Sequence, residues 1–396
     1  MSLSTLPLSY CTNVHPGRQW AEVLSGLRQY TVPLRQSFGE PLAAGLWLAA
    51  PVIAELRQSP GALESLRDTL REGDLTCHTL NAFPYGDFHS RRVKEQVYLP
   101  DWTQASRQQY TLDCAAVLAA LLPGGTDGSI STVPLGFKGL PRGASFLEEC
   151  QARLLETARG LDRLFQETGR RVRLAIEPEP LCVLETTAET VDFFESLFAA
   201  ADRQGIGGLA RDYLGVCYDV CHQAVEFEPV AESIATLQAA GVRINKIHIT
   251  CALELRDPRH NLAGREALAR YAEERYLHQT VARVGVGQVL RQLDLTREMA
   301  LQPPEEFLAA DCWRIHFHVP VNATSLGPLQ TTRDELSKAL RAVARLPYAP
   351  HLEVETYTWE VLPEGGAGGS TAGLVAGLTR ELTATRELLA ECHLEG

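Results

Sequence analysis

Val172-Arg173-Leu174-Ala175-Ile176-Glu177-Pro178-Glu179-Pro180, Leu214-Gly215-Val216-Cys217-Tyr218-Asp219-Val220-Cys221-His222 and Ile244-Asn245-Lys246-Ile247-His248-Ile249-Thr250 are three successive apolar runs, and each carries an ionisable side chain at or near its end. Runs of this length between turn signals read as buried strands, and helical patterns separate them. Strand–helix alternation means parallel strands joined by crossover helices. Outward from this centre the pattern continues. Strand candidates lie at 8–15, 45–50, 75–83 and 128–137 on one side, and at 313–320 and 351–357 on the other. Eight strand–helix units close a TIM barrel, whose usual core is about 250 residues.

With 172–177, 214–220 and 244–250 that makes nine strand candidates, one more than a barrel needs. Residues 251–312 are long, polar in places, and hold a hairpin pattern around 276–284; they read as an insertion after strand seven. The run 313–320 then belongs to the insertion and 351–357 is strand eight, in a single domain covering 1–396. An open doubly wound sheet is the rival architecture, but no GxGxxG follows the first strand. Ser145…Glu148 reads as a capping box, followed at helical spacing by Leu147, Leu154, Ala158, Leu161 and Phe165. Thr186…Glu189 and Thr332…Glu335 open two further helices. A Gly-rich linker, Gly365–Gly369, precedes a last helix over 371–392.

The chain has 396 residues, with 37 basic against 49 acidic side chains and a net charge of −12. That balance argues against a general grip on nucleic acid, which needs a basic surface. No run approaches the roughly 18 apolar residues of a membrane span, and the first residues lack the basic and apolar regions of a signal peptide. A cytoplasmic protein is expected, without direct membrane insertion. Ten cysteines occur without a CxxC pair. Cys77, Cys182, Cys217 and Cys251 sit in apolar runs, where a thiol behaves as a small hydrophobe; Cys217 and Cys221 read as core packing too.

Barrel active sites form at the C-terminal ends of the strands. There the chain presents Glu177, Asp219, His248 and, on strand eight, Glu353 or Glu355, which share a face because strand side chains alternate. Glu355 lies nearer the C-terminal end and is preferred. Three carboxylates converging in a barrel mouth repel one another and lose hydration. A divalent cation removes that conflict, and the oxygen and imidazole donors suit Mn²⁺, Mg²⁺, Co²⁺ or Zn²⁺. Each residue alone has an ordinary reading, as a helix-dipole partner or a hydrogen-bonded histidine; their succession in strand order points to one site. His222, Glu179, His316 and His318 are further candidates, as ligands or substrate contacts. Asn81, Tyr85 and His89 begin the long loop that runs to Trp102 and reads as a substrate wall or lid. Asn13, His15 and Lys138 are weaker mouth candidates. No binding site for an organic cofactor is read.

The order Glu177, Asp219-x-x-His222, His248, Glu355 resembles the xylose-isomerase-like TIM barrels, a superfamily of metal-dependent sugar isomerases, epimerases and the related endonuclease IV. The stretches YCTNVHPG, FPYGDFH…VKEQVYLPDW, GSISTVPLGF, EPEPLCVLET, YDVCHQAVEFE, YLHQ, HFHVP and EVETYTW resemble, more closely, the EboE-type metabolite-traffic proteins, over nearly the whole chain. The resemblance implies a sugar phosphate isomerase/epimerase-like barrel associated with trafficking of a small metabolite, and proteins of that pathway as partners. By position, Glu177, Asp219, His248 and Glu355 take the ligand roles and His222 stands near the substrate. Asp257-Pro258-Arg259-His260 only loosely echoes the DxH motif of endonuclease IV.

The expected activity is a metal-assisted isomerisation or epimerisation of a small polyhydroxylated metabolite. Glu177 or Glu355 would serve as general base, and His222 would stabilise developing negative charge. The alternatives are a non-catalytic metabolite carrier using the same pocket, and a metal-dependent phosphoester hydrolase recruiting His316, His318 or His260. Oligomeric state stays open.

Overall fold

In a computed structural model that describes residues 3–363 and 370–394, eight parallel strands close into a barrel. They are β1 (Leu8–Cys11), β2 (Leu42–Trp47), β3 (Thr79–Asn81), β4 (Gly128–Thr132), β5 (Val172–Ile176), β6 (Leu214–Asp219), β7 (Ile244–Ile249) and β8 (His351–Val354). β1 pairs with both β2 and β8, which completes the ring. Every residue of β2, β6 and β7 is buried. That is what continuous apolar runs dictate when helices cover the outside of a parallel sheet.

Several apolar runs outlast their strands. The run at 8–15 turns into a 3₁₀ turn at Thr12–Val14, and the run at 128–137 leaves the sheet after Thr132. The run at 75–83 is split between Leu75–Thr76 and β3. In each case the residues beyond the ladder stay buried, so burial continues where pairing stops.

The helix Thr187–Arg203 starts on the predicted capping box, with Thr186 and Glu189 bonded reciprocally. Helix Phe146–Thr168 does not: the Ser145 hydroxyl donates to Glu149 at 2.6 Å, and Leu147 faces solvent. Thr332 precedes helix Arg333–Val343, but its hydroxyl accepts from the Ala252 amide at 2.8 Å and so serves the neighbouring strand.

One residue after β7 the chain enters a second, antiparallel sheet. Its order is Gln288–Gln292, Thr280–Val284, Cys312–Val319, Cys251–Arg256, Leu329–Thr331 and Ser325–Leu326. The hairpin joining Thr280–Val284 to Gln288–Gln292 turns on Gly285 and Gly287, with φ of 62° and 76°, a region that favours glycine. Cys312–Val319 is buried throughout and lies between two partners. The sheet thus reaches to Thr331, beyond residue 312, before the chain returns through Arg333–Val343 to β8.

The linker Gly365–Gly369 lies outside the described residues. The final helix, Thr371–Leu394, packs on Val32–Phe38. Its Glu381 is fully buried and accepts from the Val321 amide (3.1 Å), the Thr356 hydroxyl (2.5 Å) and the Trp359 indole (2.9 Å). Burial pushes this carboxyl up to about 7. No helix among the described residues is long and apolar enough to cross a membrane. Glu381→Ala strands three buried donors and is expected to lower unfolding stability by about 2–4 kcal/mol. Urea denaturation measures this, and a loss below about 0.5 kcal/mol would show that the donors find other acceptors.

Candidate functional site

Side-chain alternation aims Lys246 and His248 of β7 into the barrel on one face, two residues apart. Glu353 of β8 stands in register with His248. The result is two polar layers. In the lower one, the Lys246 ammonium meets Glu353 Oε2 at 2.5 Å, and Ser9 Oγ donates to Glu353 Oε1 at 3.1 Å. Lys246 and Glu353 are fully buried. The ammonium holds the Glu353 carboxyl, against the effect of burial, down at about 2. Space for that carboxylate comes from Gly45 on β2, where a Cβ atom would lie 1.4 Å from Glu353 Oε1.

His248 links the layers. Its Nε2 faces Glu353 Oε2 at 3.1 Å and donates to it, so the ring presents Nδ1 upward. Around Nδ1 stand Glu177 Oε1 (3.0 Å), Glu355 Oε2 (3.0 Å) and Asp219 Oδ2 (3.4 Å). Glu177 comes from the turn just past β5. Asp219 ends β6 and caps the short helix Val220–Val225, its Oδ1 accepting from the His222 amide at 2.9 Å. Glu355 lies just past β8; its Oε1 accepts from Asn13 and Asn81, each at 2.8 Å. All four ionisable groups are buried.

Glu177 Oε2 and Asp219 Oδ2 have no hydrogen-bond partner. Orphaned buried carboxylate oxygens call for a positive charge. Burial works against charge on His248, yet the carboxylates outweigh it and raise the pKa well above the usual imidazole value. A divalent cation answers the same demand: one donor atom from each of Glu177, Asp219, His248 and Glu355 lies within 4.8 Å of the others. The two glutamates differ. Burial raises the Glu177 carboxyl, with His248 opposing only in part; for Glu355 the His248 ring outweighs burial and lowers it.

Beside this group three imidazoles converge. His222 Nε2 is 3.0 Å from His316 Nε2, which is 3.2 Å from His318 Nε2. His316 and His318 belong to Cys312–Val319 of the second sheet, two apart on one face. Gln279 accepts from His316 Nδ1 at 2.7 Å and donates to Glu179 at 3.1 Å. Glu179 also accepts from the Tyr98 hydroxyl at 2.6 Å, and burial pushes its carboxyl up to about 7.

A cavity opens above both groups. Its floor is polar, with Asn13, Asn81, Glu177, Glu179, His222, His316, His318 and Glu355. Its wall is apolar and aromatic, with Phe83, Phe88, Val97, Tyr98, Tyr276 and Tyr357 among others. The ammonium of Lys94, also in the lining, is engaged by Asp294 at 2.7 Å and by two backbone carbonyls.

Not every candidate arrives here. Tyr85 turns away onto Tyr110, 5.0 Å between centroids, and His89 bonds the Asn13 carbonyl at 2.8 Å behind the cavity. His15 stacks on Tyr30, and Lys138 pairs with Glu185 and Glu189. His260 is exposed and bonded to Asp257. Glu353 is buried under the site and not in it. Sequence reasoning passed over Lys246, Tyr98 and Gln279. The first was signalled by its spacing of two from His248; Gln279 sits in a hairpin whose docking no local pattern reveals.

No family model and no curated protein matches the chain. Solved structures do. A xylose isomerase-like TIM barrel protein from Mycobacterium smegmatis in complex with magnesium is 13% identical, with TM-score 0.52 over 98% of this chain and 99% of that one. An IOLI protein with a binding zinc atom is 12% identical, with TM-score 0.50 over 98% and 99%. D-psicose 3-epimerase in the presence of D-fructose is 15% identical, with TM-score 0.50 over 97% and 99%. At these identities the likeness is one of fold, the xylose isomerase-like (β/α)₈ barrel.

Lys246→Met removes the ammonium from the buried Glu353 carboxylate, leaving it only Ser9 and His248, and is expected to lower stability by about 3–5 kcal/mol. Adding Glu353→Gln removes the charge and should recover part of the loss. Chemical denaturation of both variants tests this; a single-variant loss under about 1 kcal/mol would mean that Glu353 is not ionised.

Proposed function

We propose that this chain is a divalent-metal-dependent isomerase or epimerase of a small polyhydroxylated metabolite, acting in the cytoplasm. The observation that carries the reading is the convergence of Glu177, Asp219, His248 and Glu355 on one buried point, with two carboxylate oxygens unpartnered. These four residues would hold the cation. A divalent cation supplies polarisation of a substrate carbonyl, which acidifies the neighbouring C–H. Metal-bearing solved structures of the same fold are in keeping with this.

The chain's own groups divide the remaining work. Glu177 has a free Oε2 and a raised pKa, so it is the group suited to take and return the carbon-bound proton. Glu355, held by two amides and lowered in pKa, stays ionised as a ligand. Environments that push two carboxylates apart in this way separate their roles. His222 stands between Asp219 and the cavity, its Nε2 3.9 Å from Asp219 Oδ2. Burial opposes its charge, but Asp219, Glu179 and Glu177 outweigh it and raise its pKa, so it is suited to stabilise a developing negative oxygen. Asn13 and Asn81 orient Glu355. The aromatic wall excludes water and favours a substrate with an apolar portion beside its hydroxyls.

That wall also supports a second reading, a carrier that holds such a metabolite without turnover. It accords with the resemblance to EboE-type metabolite-traffic proteins and would place the chain among proteins of one trafficking pathway.

The two readings separate by exchange. With metal-loaded protein in deuterated water and a panel of ketoses as probes, deuterium is expected to enter a substrate C–H position. Glu177→Gln should slow this by about 10²–10⁴-fold, and chelation should abolish it until metal is restored. Exchange that survives both treatments would refute the proposed chemistry; ligand retention without exchange would favour the carrier.

A further inference from the structure

The cavity above the carboxylates is short of groups that can hold an anion. Among the described residues that line it, Lys94 is the one lysine, and no arginine, serine, threonine or glycine occurs. Phosphate sites are built from those residue types and from helix amides. An ammonium has three hydrogens to donate, and Lys94 Nζ meets three acceptors: the carbonyls of Glu273 (3.0 Å) and Tyr276 (2.6 Å), and Asp294 Oδ2 (2.7 Å). Its side chain is 5% exposed. The backbone amides of Lys94 and Val93 donate to the Arg275 carbonyl at 2.9 and 2.8 Å. Lys94 therefore ties the mouth loop to the inserted segment and keeps no hydrogen for a ligand. The imidazoles do not replace it. Nδ1 of His222, His316 and His318 is held by the Pro178 carbonyl, by Gln279 and by the Glu355 carbonyl, and their Nε2 atoms face one another.

What the lining has in excess is acceptors. Glu177, Glu179 and Glu355 all line it, and the carboxylates of Glu177, Asp219 and Glu355 carry more charge than a divalent cation held among them. Three lining side-chain atoms are buried without a partner. Asn13 Oδ1 and Glu177 Oε2 only accept, and the Tyr276 hydroxyl does both. A phosphomonoester, close to doubly negative at neutral pH, brings acceptors and like charge. A hydroxyl brings the donor that these atoms lack. Over this floor three aromatic rings cluster, with centroids 4.9 Å apart for Phe88 and Tyr276, 5.3 Å for Phe88 and Tyr357, and 4.8 Å for Tyr276 and Tyr357.

We propose that the cavity takes a polyol with no anionic group, which donates a hydroxyl hydrogen to Asn13 Oδ1 and lays an apolar substituent on Phe88, Tyr276 and Tyr357. This deepens the reading above and rests on it for the choice of cavity, but not for turnover. It removes the phosphate from the sugar phosphate class that the sequence resemblance implies. Selectivity comes from the lack of spare donors: an anion gives up its water here and gains no partner, a cost that a hydroxyl does not meet. The apolar substituent gains by the reverse, leaving water for the rings.

Three ketoses test this: D-fructose, D-fructose 6-phosphate and 6-O-benzyl-D-fructose, which carry a hydroxyl, an anion and an apolar group at one position. Binding to metal-loaded protein is followed by calorimetry for the wild type, Lys94→Met and Phe88→Leu, with thermal unfolding to check that each variant folds. The 6-phosphate is expected to bind at least about tenfold more weakly than fructose, and the benzyl ether at least about tenfold more tightly. The first ratio should persist in Lys94→Met, and the second should shrink in Phe88→Leu. A smaller wild-type ratio in either comparison, a benzyl gain that Phe88→Leu keeps in full, or no binding of any probe overturns the proposal. A preference for the 6-phosphate that Lys94→Met abolishes overturns it too, and makes Lys94 the anchor of the anion. Deuterium exchange with the same probes reports separately on the reading above. The expected order of binding without exchange sinks that chemistry and keeps this proposal; exchange with the 6-phosphate as the best substrate does the opposite.

Discussion

Three almost wholly buried carboxylates held around one ring nitrogen cannot share a site without positive charge. The oxygens of Glu177, Asp219 and Glu355 lie within 3.0–3.4 Å of His248 Nδ1. Their strands bring them there whatever the electrostatic penalty, because each follows directly from where a parallel strand ends. The barrel supplies the convergence, and the convergence creates the demand. Everything near the mouth answers it in some way: amides of Asn13 and Asn81 on Glu355, the helix amide of His222 on Asp219, and the imidazole rings on the far side.

The layer beneath makes that arrangement specific. Lys246 neutralises Glu353, and Glu353 in turn fixes which edge of His248 faces upward. With carboxylates at Nδ1 above and Glu353 at Nε2 below, the ring is held from both sides. A buried ion pair gives little net stability by itself; here it sets the direction of a ligand. The aromatic wall completes the environment by lowering polarity above the polar floor, so that charge interactions inside act over short distances with little screening.

The fold was legible because parallel strands buried on both faces leave a plain mark, an uninterrupted apolar run; seven barrel strands fall within such runs, while β2 begins at Leu42, three residues before the run read at 45–50. Their ends were less legible, since 12–14 and 133–137 stay buried after the ladder stops. Glu177, Asp219, His248 and Glu355 could be read from strand order. His316 and His318 could be read as a same-face pair, but their meeting with His222 depends on how a second sheet docks, which local spacing does not encode. Tyr85 and His89 show the converse: polar aromatics in a mouth loop look alike in sequence whether they face the cavity or the helix behind it. The Ser145 box failed for a related reason, since a capping pattern states what can bond and not what does.

Gly45 carries a consequence for how such a chain can change over time. The missing side chain on β2 is filled by the Glu353 carboxylate, so the two positions occupy a single volume between them. Neither can drift alone: a larger residue at 45 evicts the acid, and loss of the acid leaves a hole that only then admits a larger neighbour. Descendants of this sequence are therefore expected to inherit the pair together or to replace it together, which makes a featureless glycine, far from any reacting atom, a hereditary marker of the charged layer under the mouth.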